Sequence, residues 1–75
     1  MGLLRKRSIQ LSGHATSLAL EPEFWTVLEA MARSHGISLA ALIGRLDEQR
    51  GQRPLASACR LAALAFTQQQ ASEPV

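Results

Sequence analysis

Thr16-Ser17-Leu18-Ala19-Leu20-Glu21-Pro22-Glu23-Phe24-Trp25 decides how this chain is read. Its first half alternates polar and apolar, with Leu18 and Leu20 on one face and Ser17 and Ala19 on the other, the period of a half-buried strand. Its second half changes period. Pro22 suits a first helical turn, where its missing N–H would have no partner anyway. Glu21 and Glu23 suit the positive end of a helix dipole. Phe24, Leu28, Met31 and Ala32 then recur at helical spacing, and Gly36 is a natural left-handed stop. The spacing predicts a helix over about residues 22–34.

Upstream, Ser8-Ile9-Gln10-Leu11 alternates in the same way, and Ser12-Gly13-His14 breaks it. Gly13 is free to take a positive φ there. Two short strands around a glycine can form a hairpin within the chain or pair with the strands of another chain; periodicity does not choose. Downstream, Ser38 is a good N-cap. Leu39, Leu42, Ile43 and Leu46 mark one face of a second helix. After the loop Gly51-Gln52-Arg53-Pro54, a third helix is expected from Pro54 to about Gln69. It is apolar nearly all round, which implies burial on several sides.

The chain has 75 residues, one cysteine and 47% hydrophobic residues. A domain this short buries only about 60% of its unfolded surface and is marginal alone. Cys59 has no partner for an internal disulfide, and with His14 and His35 it falls short of the four ligands of a structural zinc site. No metal or cofactor is therefore expected, and oligomerisation is the remaining source of stability. No stretch approaches the roughly 18 apolar residues of a membrane span. Residues 1–7 lack the pattern of a signal peptide. A single free thiol fits a cytoplasmic location.

Charge is unevenly placed. Arg5, Lys6 and Arg7 stand among the first 20 residues with no acid, whereas the remainder carries five arginines against six acids. A basic N-terminal arm over residues 1–7, ahead of a near-neutral body at 8–69 and a disordered tail at 70–75, suggests a polyanionic partner. A solvated N terminus would account for the same three charges.

The order of these elements resembles the ribbon-helix-helix family: a short alternating strand, Pro opening a helix, Gly closing it, and Ser opening a second. Residues 16–25 are similar to its strand and helix opening, and His35-Gly36-Ile37-Ser38-Leu39 to its interhelical turn. Arg7-Ser8, Gly13-His14, Thr16-Ser17, Glu21 through Trp25, and Leu55 onward are similar to a subgroup of short bacterial proteins with a third helix. The fold class implied is mainly α with a short N-terminal β ribbon, an intertwined homodimer and an extra C-terminal helix.

The resemblance further implies that one strand from each chain pairs antiparallel, and that the ribbon enters the major groove of double-stranded DNA. Ala15, Ser17 and Ala19 then face base edges, and the turn at Ser38 and Leu39 meets a phosphate, as helix N-termini do. Family ribbons usually carry Arg, Lys, Asn or Gln outward, whereas this one offers two alanines and a serine. Arg5, Lys6 and Arg7 supply phosphate contacts in compensation, and Gln10 is within the reach of a base.

The function expected is a transcriptional regulator of repressor type, acting as a dimer or as paired dimers on DNA. The alternative is an antitoxin or interaction module that binds a protein through the C-terminal helix. Catalysis is not expected: no phosphate loop, metal motif or Ser-His-Asp set is present, and Glu21 and Glu23 are explained by helix placement. Cys59 reads as a buried, inert thiol.

Overall fold

A computed structural model describes residues 3–71, arranged as two strands followed by three helices: β1 (Arg5–Leu11), β2 (His14–Leu20), α1 (Pro22–His35), α2 (Leu39–Gln49) and α3 (Leu55–Ala71). The two strands pair antiparallel within the chain, with Arg5 opposite Leu20 and Leu11 opposite His14. This resolves, for one chain, the alternative that periodicity leaves open. The resemblance implies a ribbon with one strand from each of two chains. Here a two-residue turn brings β1 onto β2 before any second molecule is needed.

The turn fixes everything that follows. Ser12 has φ 50° and Gly13 φ 82°, the two left-handed residues of the tight hairpin turn that matches the twist of its strands. The resulting register puts Ile9, Leu11, Leu18 and Leu20 in the core. The opposite face carries Lys6, Ser8, Gln10, Ala15, Ser17 and Ala19, all exposed except the half-buried Ala19.

β1 starts at Arg5, three residues before the alternation beginning at Ser8. Nothing in the composition of Arg5-Lys6-Arg7 signals a strand; tertiary contacts hold it. The Trp25 indole N–H donates to the Arg5 carbonyl at 2.8 Å. Arg7 lies 4.8 Å from the Trp25 ring centroid and bonds Glu29 at 3.1 Å. The three cations therefore belong to the ribbon and not to a free arm.

α1 opens at Pro22 after an extended Glu21 and closes on Gly36, whose φ of 68° gives the left-handed cap. Ser38 caps α2 by accepting the Ala41 N–H at 3.0 Å. α3 runs two residues beyond the expected end. The tail expected at 70–75 thus begins inside a helix at Gln70 and Ala71, and its other residues lie outside those described. α1, α2 and α3 pack on one another, while β1 lies on α2 and β2 on α3.

Leu20, Leu28, Ile43 and Cys59 are the largest fully buried side chains. Burying a leucine or isoleucine contributes about 1.5–3 kcal/mol. Arg60 ties α3 to the start of α1 by donating to Glu21 at 2.9 Å. That hydrogen bond holds the Glu21 carboxyl below the usual carboxylate range. Its contribution is present above that range and lost as pH falls through the lowered value.

Gly44 sits inside α2, where glycine costs entropy. A Cβ there would meet only Leu11 Cδ2, at 4.0 Å, an ordinary contact. We predict that Gly44→Ala stabilises the fold by about 0.5–1 kcal/mol. Thermal unfolding checks it; a lower Tm would mean that this helix face is covered more closely than one chain shows.

Candidate nucleic-acid interface

Because side chains alternate along a strand, the hairpin sorts its residues into two sets. Arg5, Arg7, Ile9, Leu11, His14, Thr16, Leu18 and Leu20 share the parity of the helix side; Lys6, Ser8, Gln10, Ala15, Ser17 and Ala19 form the outer face. Across the strands the outer residues meet as Lys6 with Ala19, Ser8 with Ser17 and Gln10 with Ala15. No acid stands on this face. The sequence candidates are thus divided: Lys6, Gln10, Ala15, Ser17 and Ala19 come together, whereas Arg7 turns inward to Glu29 and Trp25. Arg5 is exposed at the ribbon's open end, its parity that of Arg7.

Ser8 completes the face. Alternation puts it on the first strand beside Gln10, and the sequence makes these two the base-reading candidates should the second strand not act. Its signal is the register itself, which puts it directly opposite Ser17. A periodic pattern without a known turn cannot supply that pairing.

Ser38 and Leu39 sit at the head of α2, away from the strands in sequence but on the helix that carries β1. The Ser38 hydroxyl satisfies Ala41. The N–H groups opening the helix have no partner within it, which leaves them directed at whatever approaches that end.

Two other arginines have structural partners. Asp47 accepts from Arg50 at 2.7 Å, and Arg60 is shared between Glu21 and the Phe24 ring. No group of three His, Cys, Asp or Glu gathers among the described residues. No helix among them is long and apolar enough to cross a membrane.

A two-stranded ribbon packed by its inner face on a helix pair is matched by the family model for a ribbon-helix-helix domain over residues 4–67. The chain belongs to the ribbon-helix-helix family. This is a regulatory, DNA-binding family in general, its members typically acting on DNA as dimers, and its fold is non-enzymatic. Among solved structures, an uncharacterized protein from Bordetella pertussis Tohama I is similar, with 36% sequence identity and a TM-score of 0.79. The match covers 92% of this chain but 59% of that one, so this chain spans less than two thirds of its relative's length. No functionally curated protein matches the chain.

Cys59, on the inner side of α3, is fully buried. Burial pushes its thiol up to about 11, with Asp47 adding to the rise and Arg60 opposing it. That rise leaves about a hundredfold less thiolate at neutral pH than an ordinary thiol has. We predict that alkylation of native protein is slow and follows unfolding. Rapid labelling of folded protein at pH 7 would show that α3 opens independently.

Proposed function

We propose that this chain is a sequence-specific transcriptional regulator of repressor type, acting as a dimer through its β ribbon in the major groove of duplex DNA. The observation that carries this is the outer face of the hairpin: six side chains without an acid, one of them Lys6, projecting from a ribbon whose other face puts Ile9, Leu11, Leu18 and Leu20 into the core. In that dimer β2 lies beside its own copy, and this central pair, flanked by the two β1 strands, is the two-stranded ribbon that fits the major groove. The reading involves no catalysis and carries a bacterial, cytoplasmic setting with it.

Dimerisation is supported by the free edge of β2. In the tight turn, Leu11 and His14 form the hydrogen-bonded pair. The antiparallel alternation then points the backbone N–H and C=O groups of Ala15, Ser17 and Ala19 away from β1. This edge has no charge, proline or bulge, the devices by which exposed edges avoid pairing. The edge of β1, by contrast, carries Lys6. A two-fold axis at Ser17 would set Ser17 opposite its own copy and Ala15 opposite the copy of Ala19.

A second reading rests on α3. Leu61 and Leu64 are 46% and 49% exposed on a helix whose sole charged residue is Arg60. An antitoxin or interaction module would bind a protein there. Leu61→Glu separates the readings: a regulator keeps its DNA affinity, while a module loses its protein partner.

Ser17→Pro removes one edge N–H without touching the hairpin, since proline is tolerated where the N–H faces outward. We predict loss of the dimer in sedimentation and, with it, of DNA affinity; an unchanged dimer would place the interface elsewhere. Lys6→Ala removes two phosphate contacts per dimer. It should lessen the slope of log affinity against log salt by about 2, at ~0.9 per contact. An unaltered slope would mean that Lys6 does not reach the backbone.

A further inference from the structure

The outer face divides its chemistry between the strands. β2 brings Ala15, Ser17 and Ala19; β1 brings Lys6, Ser8 and Gln10. Only Gln10 among these six carries an acceptor and a donor side by side. A serine hydroxyl donates or accepts and so discriminates poorly, and lysine is a point charge suited to phosphate or guanine. Glutamine presents a carbonyl acceptor and an amide donor side by side, the complement of adenine N6–H and N7. The Gln10 side chain is exposed and makes no hydrogen bond among the described residues. Its amide is therefore available without breaking anything.

Its cross-strand partner fits the same base pair. Ala15 lies directly opposite Gln10. They form a non-hydrogen-bonded pair, the closer kind, with Cβ atoms about 4.5–5.5 Å apart. The thymine of an A·T pair projects its C5-methyl into the major groove, and an alanine methyl is an apolar contact for it. The long side chain reaches the adenine edge, while the short one leaves room for the protruding methyl. A G·C pair offers neither match: guanine O6 replaces the N6 donor and opposes the glutamine carbonyl, and cytosine has no methyl.

We infer that Gln10, on the first strand, is the base-reading residue of the ribbon, and that with Ala15 it selects an A·T pair in the major groove of each half-site. This rests on the proposed function. It shifts sequence reading from the β2 residues that the family resemblance points to onto a β1–β2 pair that only the hairpin creates. Ser8 and Ser17 tolerate any base, and Lys6 holds the backbone.

The test begins with sites selected from random duplex DNA by the wild-type protein and by Gln10→Ala, whose melting temperature should equal the wild type's. The wild type is expected to require A·T at one position per half-site, and Gln10→Ala to lose that requirement while retaining binding. At that position, 7-deazaadenine removes the N7 acceptor, and uracil in place of thymine removes the methyl. Deaza substitution should weaken the wild type by roughly 5- to 150-fold and leave Gln10→Ala unchanged. The uracil duplex should weaken the wild type by only a few-fold. If the wild type binds DNA but Gln10→Ala selects the same sites, or deaza substitution has no effect at any adenine, the assignment of Gln10 is overturned and the regulator reading stands. If the wild type binds no duplex even at low salt, both fall.

Discussion

The turn at Ser12 and Gly13 is the constraint on which the other features depend. Side chains on a strand change face at every residue, so a slip of one position in the pairing would exchange the two faces entirely. With both turn residues at positive φ, the register has no such freedom. Ile9, Leu11, Leu18 and Leu20 can then all reach the helices at once. The same choice makes Lys6, Ser8 and Gln10 neighbours of Ala19, Ser17 and Ala15, and it turns the unpaired backbone of β2 outward. Core, outer face and free edge are three results of one local conformation.

The ribbon is held to the body by contacts distant in sequence. Trp25 is the centre of these: its ring is 3% exposed, its N–H holds the Arg5 carbonyl, and its face receives the Arg7 guanidinium. The Arg7–Glu29 pair is itself half exposed, so on its own it is worth little. Its use is to fix the direction of the strand. Near the start of α1, Arg60 does the same for α3 by bonding Glu21 and lying over Phe24. The first helix thus carries one arginine–aromatic contact to β1 and another to α3.

Much of this was legible in the sequence because it depends on local rules. Pro22, Gly36 and Ser38 set the helix limits through missing donors, positive φ and side-chain capping, and the structure places each in that role. The faces of β2 followed from alternation. What was not legible depends on contacts between distant residues. Arg5-Lys6-Arg7 has the composition of a solvated arm, and only Trp25 and Glu29 make it strand. The outer face was legible in the alternation of both strands, but the pairing of Ser8 with Ser17 and the inward turn of Arg7 required the register. The choice between pairing within and between chains lay in Ser12, whose positive φ no preference for serine announces. The apolar girth of α3 pointed to burial on every side, yet Leu61 and Leu64 remain open within one chain.

The separation of the two ribbon faces has a consequence for how such a protein can change. The outer side chains bury almost nothing and hold no bond that the fold requires, while the inner ones carry the core. Mutations can therefore accumulate on the outer face at little cost in folding, and under the proposed function each would alter which DNA is preferred. A duplicated copy of the gene could drift to a new target without passing through an unfolded intermediate. The constraint on that drift is the turn, because any change that moved the register would exchange an address for a core.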